Sequence, residues 1–185
     1  MEAGEHYRHL ARLGRDAFLA EASPAAFVRY KSAPDPASTA GATLTLDEDG
    51  EADERQPDPE SDETVDETAP VGRHGVPRDA ALEVYPIAKK PGASFPDRIT
   101  LGRTSNNDLV IVEHSISRLH AYVRPVGDGW VMADAGSKNG SWLVGEKLVP
   151  RKERPLVSRM VVRLGDIDLT FYRAADLFGL LGGRT

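Results

Sequence analysis

Between Ala80 and Tyr172 the apolar residues fall in short runs separated by turn residues. Ala81-Leu82-Glu83-Val84-Tyr85 alternates in part, and Lys89-Lys90-Pro91-Gly92 is a turn. Arg98 to Leu101, Leu109 to Val112 and Leu119 to Arg124 each read as a strand. Gly127-Asp128-Gly129 is a tight turn before Trp130, and Asn139-Gly140 is a hairpin signal. Trp142 to Val144 and Lys147 to Val149 flank a turn at Gly145; Met160 to Leu164, Gly165-Asp166 and Ile167 to Tyr172 make a closing hairpin. Short strands without intervening helices point to an antiparallel sandwich over residues 79–173. Trp130, Trp142, Phe171 and Tyr122 are its aromatic core candidates. Residues 174–185 read as a short helix, apolar at Leu177, Phe178 and Leu180, and a tail.

The texture before Ala80 differs. Over residues 1–31 Tyr7, Leu10, Leu13 or Ala17, Phe18 and Leu19 recur at helical spacing with arginines between them, so the stretch reads as a helical extension. Gly14 interrupts that pattern. Ser23-Pro24 reads as a cap that starts a second helix carrying Phe27, Val28 and Tyr30. Such helices either pack on the body or dock another protein. His6 and His9 share a face without a third metal ligand nearby.

Residues 32–78 are rich in proline and acids and read as a disordered, extended linker. Between Asp47 and Glu67 there are twelve acids and one base, Arg55, a net −11; against −6 for the whole chain this leaves +5 elsewhere. A mildly basic body on an acidic tether attracts anions, its own tether included. Thr43, Thr45, Thr64 and Thr68 lie among or beside the acids and are candidate phosphorylation sites. The acids around Gly50 lack the spacing of a calcium loop.

With no cysteine there is no disulfide framework and no thiolate site, and no apolar run reaches the ~20 residues that span a bilayer. The N-terminus lacks a signal-peptide pattern, so a cytoplasmic protein is expected, with no membrane partner. No nucleophile elbow, metal constellation or paired acid site is present, and the expectation is a non-enzyme without cofactor or metal. The mixed charges of the N-terminal helices argue against nucleic acid.

Chemistry concentrates at strand ends: Gly102-Arg103, Asn107-Asp108, Ser117-Arg118-Leu119-His120 and Ser137-Lys138-Asn139-Gly140. Arg103 offers a planar fork of donors suited to phosphate. Ser117 offers a compact hydroxyl and a backbone N–H, and Asn139 an amide able to clamp a peptide backbone.

These four clusters, in this order and spacing, resemble the forkhead-associated (FHA) domain over about Ala80 to Tyr172. The resemblance implies an all-β, eleven-stranded sandwich that binds phosphothreonine peptides. It implies phosphopeptide contacts at Arg103, Ser117, Arg118, Ser137, Lys138 and Asn139, with structural support from Gly102, His120 and Gly140. His120 is implied to brace the loops by hydrogen bonds. Many family members carry threonine or serine directly before the Asn-Gly, where Lys138 stands here with Ser137 before it. A lysine there adds an ionic contact to the phosphate or to acidic residues of the peptide. The loop from Glu113 to Ile116 resembles the region that reads the residue three past the phosphothreonine. The expected partner is thus a protein phosphorylated on threonine by a Ser/Thr kinase, and the expected role a signalling adaptor. The alternative is an intramolecular switch in which a phosphothreonine of the linker enters its own site. From Thr64 to Ala81 a flexible chain spans roughly 20–25 Å, and tethering gives a local concentration around millimolar.

Overall fold

The structure is a computed structural model that describes residues 3–31 and 81–182. The linker assigned to residues 32–78 and its candidate phosphosites Thr43, Thr45, Thr64 and Thr68 lie outside the described residues.

Two helices open the chain, α1 (Ala3–Arg12) and α2 (Arg15–Glu21). Gly14 separates them at φ 107°, a conformation that glycine reaches without Cβ strain. Of the apolar residues at helical spacing, Tyr7, Leu10 and Phe18 are buried, whereas Leu13 and Leu19 face out. The second helix expected after Pro24 is instead a strand, β1 (Ala25–Lys31). Its run Ala25-Ala26-Phe27-Val28 is apolar on both faces, and such a run carries no period that tells strand from helix. Burial on both faces decides it. Ala25 and Phe27 enter one core, and Ala26 and Val28 enter another.

After the undescribed segment come β2 (Ala81–Pro86), β3 (Ile99–Gly102), β4 (Leu109–Val110), β5 (Ala121–Val126) and β6 (Gly129–Asp134). They are followed by β7 (Ser141–Leu143), β8 (Glu146–Lys147), β9 (Arg154–Leu156), β10 (Val161–Leu164), β11 (Ile167–Arg173) and the helix α3 (Ala174–Leu180). One sheet has the order β2-β1-β11-β10-β7-β8 and the other β4-β3-β5-β6-β9. This is the expected β-sandwich with eleven strands, but one of them is supplied from before the acidic segment. β1 pairs antiparallel with both β11 and β2, with Ala25 opposite Arg173 and Lys31 opposite Ala81. The sandwich therefore does not begin at residue 79. The pairing is antiparallel except between β3 and β4, which run parallel.

The main core lies between the sheets, with Phe27, Leu101, Ile111, Met132, Leu164 and Phe171 essentially inaccessible. Trp130 packs against it while partly buried. Trp142 and Tyr122 do not join it. Ser141 and Leu143 take the inward positions of β7, leaving Trp142 outside beneath the Lys147 ammonium, and Tyr122 lies under the Arg98 guanidinium. A second core forms where α1, α2 and α3 cover the outer face of β1, β2 and β11. It contains Tyr7, Leu10, Phe18, Val28, Tyr172 and Phe178, so the N-terminal helices pack on the body.

Asn139-Gly140 makes no hairpin. β6 and β7 belong to different sheets, and the connection between them crosses the end of the sandwich. Such inter-sheet connections, together with β3–β4 and β4–β5, build one rim.

Candidate functional site

The rim is organised by buried polar residues, and no buried side-chain polar atom among the described residues lacks a partner. Asn107 and Asp108 anchor the β3–β4 loop. Asn107 Nδ2 donates to Thr104 O at 2.9 Å and to Arg118 O at 2.6 Å, which ties this loop to the β4–β5 loop. Asp108 accepts from Thr100 N–H at 2.8 Å, Thr100 Oγ1 at 2.9 Å, Lys90 N–H at 2.9 Å and Lys89 Nζ at 2.8 Å. Burial pushes the Asp108 carboxyl up, but the lysine and the other donors outweigh it and hold the group below the usual carboxylate range.

Gly102 ends β3 at the tightest point. A Cβ there would lie 2.2 Å from Arg118 O and 2.7 Å from Asn107 Nδ2, so only glycine lets the loops approach this closely. Arg103 follows, its N–H donating to Ser117 O at 3.0 Å.

His120 is fully buried and spans two loops. Ser117 N–H donates to its Nδ1 at 3.0 Å, and its Nε2 lies 2.9 Å from Gly140 O. An acceptor at Nδ1 and a donor at Nε2 define the neutral imidazole. Burial lowers the pKa of His120, opposed by the Gly140 carbonyl and the Asp134 charge. The expected bracing role is what this geometry provides. It also takes up the backbone N–H of Ser117, expected from sequence to face the phosphate. The Ser117 hydroxyl oxygen accepts Lys138 N–H at 2.9 Å, which leaves its proton free to donate outward.

The β6–β7 loop is built around Asp134, a residue the sequence reading did not single out. Asp134 accepts from Gly136 N–H at 2.7 Å, Ser137 N–H at 2.9 Å, and the hydroxyls of Ser137 and Ser141, both at 2.6 Å. Burial raises its carboxyl, but these donors leave it below the ordinary value. Ser137 thereby has a different place from the one expected. Its only hydroxyl proton goes to Asp134 and its oxygen accepts Gly140 N–H at 2.9 Å, so it braces the loop and does not line the cleft. Gly140, at φ 88°, gives its carbonyl to His120 and to Gly165 N–H. Asn139 donates from Nδ2 to Ser115 O at 2.8 Å, keeping its second amide proton and Oδ1 for a ligand. Gly165 was not foreseen either; a Cβ there would meet Ser115 O at 2.6 Å.

These loops enclose an open cleft of about 1050 Å³. Arg103, Ser117, Arg118, Lys138 and Asn139 all line it, with Thr104, His114 and Ile116. No carboxylate lines it. The side chains of Arg103, Arg118 and Lys138 are exposed, and none makes a hydrogen bond or ion pair among the described residues. Such a surface attracts anions and gives them charged donors at no cost in broken ion pairs. Nearby, Arg29 of β1 donates to Glu113 of the β4–β5 loop at 2.6 Å, so the strand from before the acidic segment steadies this loop. Thr104, Asp134 and Gly165 escape a reading of local motifs because their partners lie far away in sequence.

The family model of the FHA domain matches residues 99–165. An oxoglutarate dehydrogenase inhibitor of Corynebacterium jeikeium is 28% identical over 108 residues, covering 57% of this chain and 73% of that protein. An ABC transporter ATP-binding/permease protein of Mycobacterium tuberculosis is 31% identical over 90 residues, 49% of this chain but 10% of the transporter. Among solved structures, the FHA domain of an Arabidopsis thaliana hypothetical protein aligns with 82% of this chain and 86% of its own, at TM-score 0.42 and 19% identity. EmbR of Mycobacterium tuberculosis, in complex with a low-affinity phosphopeptide, aligns with 41% of this chain and 20% of its own, at TM-score 0.38 and 29% identity. Among the described residues no helix is long and apolar enough to cross a membrane.

Proposed function

We propose that this chain, whose residues 99–165 form an FHA domain, is a phosphothreonine-peptide-binding adaptor that recruits partners phosphorylated by a Ser/Thr kinase in the cytoplasm. One observation carries the reading: the Arg103 and Arg118 side chains and the Ser117 hydroxyl converge on one cleft with no carboxylate among its lining residues. Phosphothreonine brings about −1.5 to −2 charge. Each charge-assisted hydrogen bond contributes roughly 1.5–3 kcal/mol, and three or four supply most of the ~8 kcal/mol of a micromolar complex. Threonine without phosphate forfeits nearly all of them. Asn139, fixed to Ser115, holds the peptide backbone beside the phosphothreonine. The cleft offers donors for binding and no base positioned to activate a nucleophile, so its role is recognition.

A phosphothreonine-peptide library tests this. The wild-type chain should retain phosphorylated and not unphosphorylated peptides. Arg103→Ala and Ser117→Ala should each lose roughly ten-fold or more in affinity, at about 1.4 kcal/mol per ten-fold, with the fold intact. Equal retention of both peptide forms would end the reading.

A second reading is a self-binding switch, favoured by where the acidic segment is attached. Its flanking residues Lys31 and Ala81 pair at the end of β1 that leads, through Arg29, to Glu113 of the β4–β5 loop. Asp-Glu precedes both Thr64 and Thr68. Phosphorylating this segment should then suppress binding of an external phosphopeptide; unchanged binding would rule the switch out.

A further inference from the structure

We propose that the cleft also selects an acidic residue of the ligand next to its phosphothreonine, and that the Lys138 ammonium is the group that selects it. The inference rests on the phosphothreonine reading above and goes on to the composition of the peptide.

The phosphate seat comes first. Ser117 has Arg103 on one side, through Arg103 N–H to Ser117 O, and Lys138 on the other, through Lys138 N–H to Ser117 Oγ. With Arg118 next in sequence, two guanidinium groups and a free hydroxyl proton already serve one phosphate. Arginine forks onto phosphate oxygens in pairs, whereas lysine is a single compact charge on a flexible stem. The β6–β7 loop adds no hydroxyl of its own, because the Ser137 proton is held by Asp134.

Charge balance then leaves Lys138 over. A phosphate of about −2 offsets two of the three cleft cations. No acid lines the cleft to offset the third. Elsewhere on the surface cations are matched, as in Lys31–Glu83, Arg124–Glu153, Arg154–Glu146 and Arg163–Asp168. The excess continues at the base of the same loop. Arg151 N–H donates to Asp134 O at 2.7 Å, with Arg151 held at φ 63°, and both Arg151 and Lys152 are exposed. A non-glycine residue in that conformation costs energy and persists where the surroundings require it. A peptide with a carboxylate on this side completes the balance. One with a lysine or arginine there meets like charge and is rejected.

The test uses the full-length, unphosphorylated chain and phosphothreonine peptides identical except for alanine, aspartate or lysine at the flanking positions, measured by titration calorimetry. Wild type should bind the best-placed aspartate peptide about two- to five-fold tighter than the alanine peptide, the range of an exposed ion pair, and the lysine peptide more weakly than either. Raising salt should shrink the spread. Lys138→Thr should erase the aspartate advantage yet still prefer phosphorylated over unphosphorylated peptide, and Lys138→Arg should restore the advantage. Equal binding of aspartate and alanine peptides by wild type overturns the proposal. So does an advantage that survives in Lys138→Thr, which would assign it to another cation. Loss of all phosphate dependence in Lys138→Thr would place Lys138 in the phosphate seat and overturn it too. If wild type shows no phosphate dependence with any peptide, it is the phosphothreonine reading that fails, and the selectivity falls with it.

Discussion

On the floor of the cleft Asp134 accepts four hydrogen bonds, Asp108 is held by two lysine residues and Thr100, and both ring nitrogens of His120 are engaged. On its lip the Arg103, Arg118 and Lys138 side chains have no partner among the described residues. The difference follows from solvent. A buried polar group without a partner costs about 1–3 kcal/mol, so the floor must be saturated by the fold itself. An exposed cation is solvated by water, so the lip can stay open for a ligand. The floor fixes where the loops stand and the lip fixes what they attract. Substitutions on the two should therefore act on different quantities.

The largest effect is expected from removing the floor's main acceptor. Asp134→Ala strands two backbone N–H groups and two hydroxyls in the β6–β7 loop. It should lower stability by about 3 kcal/mol in a denaturant melt and weaken peptide binding with it. Arg103→Ala, on the lip, should leave the melt within about 0.5 kcal/mol while losing binding. If Arg103→Ala destabilised the protein as much as Asp134→Ala, the separation of floor and lip would be wrong.

A smaller effect should come from pH. The folded-state pKa of His120 lies below its unfolded value of about 6.5, chiefly through burial. Its contribution is present above the unfolded pKa and is lost as pH falls through the folded one, because the unfolded chain takes up the proton first. Protonation would also place a hydrogen on Nδ1 where Ser117 N–H now donates. Stability of the unliganded protein should fall as pH is lowered from about 6.5, and His120→Asn should flatten that part of the profile. Measuring without peptide avoids the phosphate's own titration.

The smallest change concerns the strut between the two. Arg29→Ala removes a part-exposed ion pair to Glu113 and should cost no more than about 1 kcal/mol. Its use is to show whether β1 steadies the β4–β5 loop. If it does, hydrogen exchange in residues 113–117 should quicken. A larger loss would mean that the strut belongs to the floor.

The sites legible in the sequence are those whose chemistry is local. Gly102-Arg103, Asn107-Asp108, Ser117-Arg118-Leu119-His120 and Asn139-Gly140 can be picked out because the residue type and its place at a strand end both bear on one function. The closing turn at Gly165 and the β7–β8 turn at Gly145 are legible for the same reason. Ser137 was misplaced because a hydroxyl beside the cleft and a hydroxyl bracing its loop look alike until Asp134 appears beneath it. Asn139-Gly140 looks like a hairpin because the dipeptide reports a turn and not which sheets its strands join.

The order of polar clusters and apolar runs by itself determined an all-β sandwich with phosphate-seeking donors at strand ends, since alternation and turn chemistry act over a few residues. Only tertiary structure decided that residues 25–31 form a strand, for an evenly apolar stretch takes its conformation from the surfaces that bury it. It likewise decided which donors remain free. Whether a hydroxyl or N–H is spent depends on what lies across the fold, and that is a property of three dimensions.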